Sequence, residues 1–176
     1  VYKRQVLGTY TAGSAVGRAP GDALAASTAN MVRVAVADKE TPEEISDTSN
    51  RFLSGALMLA VVGVVVAQVA AVVLGPILGE KWNSAMSMVP FIAMVSFPGV
   101  LSWAASVLLV RTGAAWKTFV GPVIGIVFGA LIAWVASFDL HLAATILVLR
   151  EFAVVIVAYS FVGKAAPWRS FWLGVA

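Results

Sequence analysis

Two long stretches of the chain carry no charged side chain. Residues 52–79 form one run of twenty-eight such positions, and residues 82–110 form a second run of twenty-nine. Roughly 20 apolar residues in a helix cross a hydrocarbon core about 30 Å thick, and the core helices of soluble proteins do not need runs of this length. The pattern therefore predicts a membrane protein.

The alternation of apolar runs and short polar segments divides the chain into helices. Apolar segments of about 20 residues or more predict complete membrane spans, and a less apolar segment before them predicts a shorter helix. The complete spans are predicted near residues 52–75, 85–110, 117–137 and 141–162, and the shorter helix near residues 21–37. We therefore expect an all-α fold, a polytopic transmembrane helical bundle.

Proline and glycine predict where these helices begin and break. Pro20 stands among glycines, which predicts an interruption before the shorter helix. Thr41 followed by Pro42 is typical of a helix start, and Glu44 is placed to close a capping box with Thr41. We expect the helix that starts there to run on into the first complete span. Two prolines inside residues 85–110 predict kinks in the second span.

Composition and charge narrow the classes of function. Sixty percent of the residues are hydrophobic and 12% are charged, with a mean hydropathy of +0.92, so residues 6–176 are expected to form one membrane domain. The net charge is +3, but the basic residues flank apolar runs, which indicates membrane topology and not a nucleic-acid surface. There is no cysteine and only one histidine, so no thiolate or zinc site is expected. No nucleotide-binding loop or hydrolase motif is present in the sequence, so we predict neither an enzyme nor a cofactor.

The positions of lysine and arginine predict the orientation of the spans. Short loops that are rich in these residues lie in the cytoplasm. If the polar segment 38–51 is cytoplasmic, the opposite side carries Lys81 alone. The cytoplasmic side then carries six basic residues, namely Lys39, Arg51, Arg111, Lys117, Lys164 and Arg169.

Both ends of the sequence are unusual. The first five residues, Val-Tyr-Lys-Arg-Gln, are the translation of a transposon end that is used to prepare sequencing libraries. The last six residues stop inside an apolar run. We interpret residues 1–5 as an adapter artefact, and we expect the chain to be a fragment of a longer protein.

One charged pair lies deep in a predicted span. Arg150 and Glu151 lie about ten residues into the segment 141–162, which puts them near the bilayer midplane at about 1.5 Å per residue. An arginine at that depth costs roughly 2.5–3.5 kcal/mol. Neighbouring residues on a helix point about 100° apart, so each side chain is expected to need a partner on another helix or on a ligand. An interhelical ion pair that fixes packing and a role in substrate binding or coupling both remain open.

Three further ionisable residues precede the first complete span. Arg18, Asp22 and Arg33 fall within about 60° of one another on a helical wheel, provided that one helix continues through Pro20. If the chain turns at Pro20, Arg18 and Asp22 lie at the outer mouth of the bundle and Arg33 lies toward the cytosol. Arginines that extend to the membrane surface are the simpler alternative. The candidate substrate-binding residues are therefore Arg150, Glu151, Arg33, Arg18 and Asp22.

Several of these features together resemble a known family. They are Tyr10 near the end of a span, Pro20 after it, and a helix that closes on Arg-Val-Ala-Val-Ala. An acidic loop, a long apolar span and the turn Leu-Gly-Glu-Lys-Trp at residues 78–82 follow. Over roughly residues 8–165 the chain resembles the C-terminal half of bacterial oligosaccharide/lipopolysaccharide flippases, of the multidrug/oligosaccharidyl-lipid/polysaccharide exporter superfamily. It departs from them at Ala37, which is followed by an aspartate where a proline is common.

The resemblance implies a fold, a substrate and a place in the cell. The fold would be part of the second six-helix lobe, which faces a missing N-terminal lobe of the same chain across a central cavity. The intact protein would move a polyprenyl-pyrophosphate-linked oligosaccharide to the outer leaflet of the bacterial inner membrane by alternating access. A multidrug/cation antiporter of the same superfamily and a non-catalytic membrane bundle subunit are the alternatives. The predicted external loops are too short for a membrane-embedded glycan polymerase or transferase.

Overall fold

Six α-helices make up most of residues 2–165, the part of the chain that the computed structural model describes. No β-strand occurs within this range, so the predicted all-α fold class is confirmed. Arg169, which was used above to predict the orientation, lies outside the described residues. The helices are α1 (Tyr2–Ala35), α2 (Pro42–Leu78), α3 (Asn83–Ala93), α4 (Ser96–Arg111), α5 (Val120–Val135) and α6 (Leu140–Val162). Short 3-10 turns lie at Glu80–Trp82, Ala115–Phe119 and Gly163–Ala165.

Three segments are long and apolar enough to cross a membrane, judged by length and composition. They are α2, α6 and the segment Ala115–Val135, which joins a 3-10 turn to α5. The segment Glu80–Ala93, which joins a 3-10 turn to α3, makes a fourth candidate span together with α4, and this pair is bent by 49°. These segments correspond to the four predicted spans and are compatible with a membrane protein.

The second predicted span is broken between α3 and α4, where Met94 and Val95 form a turn. Pro98 lies in the first turn of α4 and has no N–H to donate to the carbonyl of Met94. The helical hydrogen-bond ladder is therefore interrupted at this point. Pro90 by contrast lies inside α3, which continues past it to Ala93. Of the two predicted kinks, the large bend is the one next to Pro98.

The predicted start of α2 is confirmed. The Thr41 hydroxyl accepts a hydrogen bond from the Glu44 N–H at 3.2 Å, and the Glu44 carboxylate accepts one from the Thr41 N–H at 3.4 Å. Pro42 occupies the first position of the helix. From there α2 continues for 37 residues, through the first predicted span. It ends at Gly79, whose φ of 86° is a conformation that glycine adopts readily.

The predicted interruption at Pro20 is wrong, because α1 continues through this residue as one helix of 34 residues. The glycines around Pro20 serve helix packing and do not form a turn. A Cβ on Gly17 would lie 3.0 Å from a side chain of α3, and one on Gly21 would lie 2.2 Å from Ser96 Oγ. Membrane helices approach one another closely where small residues line the contact. The shorter helix predicted near residues 21–37 is therefore the second half of α1.

The helices pack around α1, which contacts α2, α3 and α4. The α6 helix packs on α4 and α5, and the Tyr159 hydroxyl donates a hydrogen bond to the Leu101 carbonyl of α4 at 3.1 Å. Large apolar side chains remain on the outside of α2 and α5, as expected of helices that face lipid. Buried residues recur every three or four positions along α1 and form one face of the helix. They are Gly13, Gly17, Gly21, Ala25, Ala29 and Val32.

Candidate functional site

Four of the five predicted site residues meet between α1 and α6. Arg18 and Asp22 lie on α1, and Arg150 and Glu151 lie on α6. Arg18 Nε lies 3.6 Å from the Asp22 carboxylate, and Arg18 Nη2 lies 3.9 Å from Glu151 Oε1. The same Glu151 oxygen accepts a hydrogen bond from the Arg150 guanidinium. These four residues are termed the charge cluster.

The continuity of α1 positions one half of the charge cluster. Residues that are four apart in a helix lie on the same face, so Asp22 is in reach of Arg18. A turn at Pro20 would have separated the two side chains. The sequence left both arrangements open, and the structure shows the continuous helix.

The middle of α6 positions the other half. The helix begins at Asp139, whose carboxylate accepts a hydrogen bond from the Leu142 N–H at 2.9 Å. The side chains of Arg150 and Glu151 are 20% and 11% exposed, so both are largely withdrawn from the surface. The expectation that these neighbours would not pair is wrong, because the flexible Arg150 side chain bends back to the carboxylate. The expected partner on another helix is present for Glu151, and it is Arg18.

The charge cluster is electrically balanced. Two guanidinium groups face two carboxylates, and Glu151 is shared between both arginines. Burial of a charge is tolerable when an opposite charge pairs with it. This balance would offset the roughly 2.5–3.5 kcal/mol that a lone arginine costs at the midplane of a bilayer. An anion that binds here must compete with the carboxylates for a guanidinium group.

A cavity of about 400 Å³ adjoins the charge cluster between α4, α5 and α6, and it is termed the Arg150 cavity. Its volume is within the range of small-ligand sites. Sequence reasoning missed the hydroxyl groups on its wall, although Ser102 and Ser106 lie one helical turn apart on α4 and could have been read as a polar stripe. The polar and charged residues of the lining are Ser102, Ser106, Lys117, Thr118, Arg150 and Glu151.

A line of polar side chains approaches the charge cluster along α1. Tyr10, Ser14, Arg18 and Asp22 follow one another at intervals of four residues and line an open groove of about 510 Å³. Residues at this spacing share one helix face. The four-residue spacing of these polar residues is visible in the sequence, but it places Tyr10 and Ser14 on one face with Asp22 only if α1 continues through Pro20.

Arg33 lies apart from the charge cluster. It is exposed and follows Arg18 by fifteen residues on α1, which corresponds to about 22 Å. It lines a second cavity of about 880 Å³, between α1 and α4, that is termed the Arg33 cavity. Both cavities are bordered by Trp103, Ser106 and Thr118. The two cavities are therefore neighbours along one face of α4, with Arg33 at the far end from Arg150.

No protein-family model, curated protein or solved structure matches this chain. Within residues 2–165, no three side chains of histidine, cysteine, aspartate or glutamate are grouped so that they could hold a metal ion. The groups that the structure brings together are guanidinium groups, carboxylates and hydroxyls. Their chemistry is the pairing of anions by arginine and of cations by carboxylate.

Proposed function

We propose that this chain is part of a flippase in the bacterial inner membrane, which moves a polyprenyl-pyrophosphate-linked oligosaccharide to the outer leaflet by alternating access. The observation that carries the proposal is the charge cluster, which adjoins a cavity between α4, α5 and α6 whose wall includes Lys117 and two serines. Ionisable residues at membrane depth are typical of transport pathways. The substrate class comes from the sequence resemblance, and the proposal assigns the chain no enzymatic activity.

The lining of the Arg150 cavity suits a phosphorylated headgroup. The planar guanidinium of Arg150 offers two parallel N–H donors that match the oxygens of a phosphate. Lys117 contributes a second positive charge to the same cavity, and Ser102 and Ser106 contribute hydroxyl groups. A pyrophosphate with an attached sugar needs both positively charged groups and hydroxyl groups.

The shared carboxylate provides a way to release Arg150 at low cost. If a phosphate takes the Arg150 guanidinium, Glu151 still lies 3.9 Å from Arg18 Nη2. No carboxylate is then left buried without a partner, which would cost several kcal/mol. Arg18 lies on α1 and Glu151 on α6, so the contact between these two helices is kept while the phosphate holds Arg150.

A proton- or cation-coupled antiporter is the second candidate. It is favoured by Glu151, a carboxylate that is 11% exposed, lines the cavity and is held by two arginines. A cation bound at Glu151 would compete with both arginines for the same carboxylate. A non-catalytic bundle subunit is the third candidate, in which the charge cluster has a packing role alone.

Deletion of the gene tests the function. A flippase predicts that surface glycan is lost and that the lipid-linked precursor accumulates on the inner leaflet, where it is protected from an external glycosidase. An antiporter predicts an altered susceptibility to cationic drugs with normal surface glycan. If neither property changes in the deletion strain, both proposals are wrong.

Variants of Arg150 separate binding from packing. The flippase proposal predicts that Arg150→Gln reaches normal membrane abundance but exports little glycan, and that Arg150→Lys retains part of the activity. Arg51→Gln is the matched control, because Arg51 is an exposed arginine in the third turn of α2 and lies outside both cavities. Loss of abundance in both Arg150 variants would assign the residue to packing, and normal export in both would end its proposed role.

A further inference from the structure

The Arg33 cavity carries positive charge without a negative partner. Within residues 2–165, Arg33 makes no ion pair with a carboxylate. Arg111 lines the same cavity, and its guanidinium donates hydrogen bonds to the Val36 and Lys39 carbonyls at the end of α1. Both of these acceptors are neutral, so Arg111 retains its full charge. Two positive charges thus face one cavity.

A third positive charge, on Lys117, lines the adjoining Arg150 cavity and not the Arg33 cavity. Lys117 directly precedes Thr118, which borders both the Arg33 cavity and the Arg150 cavity. The Lys117 ammonium lies 4.9 Å from the centre of the Phe161 ring, and it too pairs with no carboxylate in the part of the chain that the structure describes. Cation–π contacts are weak compared with a phosphate ion pair, so the ammonium remains available.

The rest of the Arg33 cavity is mainly apolar. One side is formed by Trp103, Val107 and Val110 of α4, and the other includes Ala26 and Ala29 of α1. Trp103 is 53% exposed, so its ring is accessible from outside the bundle. The alanines extend the apolar wall from Arg33 back along α1 by about 10 Å. A ligand that fits has an anionic head and a hydrocarbon tail.

The charged end of the cavity lies at one face of the bundle. Arg33 is in the last turn of α1, Arg111 is in the last turn of α4, and Lys117 is in the turn that follows α4. The distribution of lysine and arginine assigns this face to the cytoplasm. The charges therefore lie at the level of lipid headgroups, and the apolar wall runs from there into the bilayer.

We infer that the Arg33 cavity is a docking site for an anionic glycerophospholipid of the surrounding cytoplasmic leaflet. Its phosphate pairs with Arg33 and Arg111, the two arginines that line the cavity, and an acyl chain lies against Trp103. Basic pockets between membrane helices on the cytoplasmic side are suited to anionic headgroups. A resident lipid is present in large excess over any cargo, so mass action fills even a weak site of this kind. The site does not depend on the proposed flippase activity.

Quenching of Trp103 fluorescence by brominated lipids tests the inference. The intact protein is reconstituted into vesicles of phosphatidylcholine that contain either brominated phosphatidylglycerol or brominated phosphatidylcholine. The contribution of Trp103 is isolated by subtraction of the Trp103→Phe variant. The phosphatidylglycerol form is expected to quench more strongly at equal mole fraction. Removal of the charge in Arg33→Gln is expected to lower this preference by about fivefold.

Two control variants keep the result interpretable. Arg33→Lys preserves the charge and is expected to keep most of the preference, which separates charge loss from a failure to fold. Arg51→Gln removes a positive charge on the same predicted face but outside the cavity, and it is expected to leave the preference unchanged. Equal quenching by the two brominated lipids would overturn the inference, as would an equal effect of Arg51→Gln.

Competition experiments distinguish the sources of phosphate. Inorganic phosphate alone is expected not to displace phosphatidylglycerol, because it cannot use the apolar wall. A polyprenyl diphosphate added to the vesicles at equal mole fraction is also expected not to displace it. Displacement by either competitor would overturn the assignment to a resident lipid, and displacement by the polyprenyl compound would assign the cavity to cargo. These outcomes are measured without transport, so they stand apart from the test of the flippase proposal.

Discussion

A methyl group added at Gly21 should push α1 away from the start of α4. The Cβ of Gly21→Ala would lie 2.2 Å from Ser96 Oγ, 2.8 Å from Ser96 Cβ and 2.9 Å from Ser96 Cα. Rotation of the serine hydroxyl removes only the first of these contacts. The other two involve the backbone and its attached carbon, so the helices themselves must separate.

The size of the effect follows from these distances. Carbon atoms that are not bonded pack at about 3.5–4.0 Å, so α1 must shift by roughly 0.6 Å or more at this point. Overpacking of this kind typically costs about 1–3 kcal/mol. The gain in helix propensity from glycine to alanine, about 0.5–1 kcal/mol, offsets part of this cost. We expect Gly21→Ala to lower the free energy of unfolding by about 1–2 kcal/mol.

The assay is equilibrium unfolding of the purified protein in mixed micelles, with Gly55→Ala as the matched control. Gly55 is also a helical glycine, but a Cβ there meets nothing within 4 Å, so this variant is expected to be as stable as the wild type or more stable. Ser96→Gly removes two of the three contacts and should recover part of the loss in the double variant. If Gly21→Ala and Gly55→Ala prove equally stable, the close approach of α1 and α4 is wrong.

Three further predictions concern the charge cluster, the helix cap and the topology. Glu151→Gln leaves two arginines without their shared carboxylate and should lower the free energy of unfolding by about 3–5 kcal/mol. The Asp22 side chain is 56% exposed, so Asp22→Asn should lower it by at most about 1 kcal/mol. The same unfolding assay checks both, and equal losses would contradict the pairing. Thr41→Ala removes a capping hydrogen bond and should cost about 1 kcal/mol, seen as faster hydrogen exchange in the first turn of α2. Cysteines in Lys81→Cys and Lys117→Cys should react with an impermeant maleimide from opposite sides of the membrane, and labelling from one side would refute the predicted topology.

The positions of the long apolar helices and the start of α2 could be predicted from the sequence, because both depend on local properties. A charge-free run of more than twenty residues can form a spanning helix whatever surrounds it. The cap at Thr41 uses donors and acceptors within four residues of chain, so Thr41, Pro42 and Glu44 were sufficient to locate it. The same reasoning identified ionisable residues within apolar segments, because the free-energy cost of an unpaired charge in a bilayer is the same whichever helices surround it.

The tertiary structure decided the rest, because the deciding partners lie on other helices. Pro20 and its glycines predict a break by local rules, but α1 runs through them as one helix, with Gly17 against α3 and Gly21 against α4. That continuity brings Arg18 to Glu151 and leaves Arg33 about 22 Å along the helix, in a different cavity. Helix periodicity places side chains on a face, but it does not say which helix that face will meet. The approach of α1 to its neighbours therefore determined which charges became a cluster and which stayed apart.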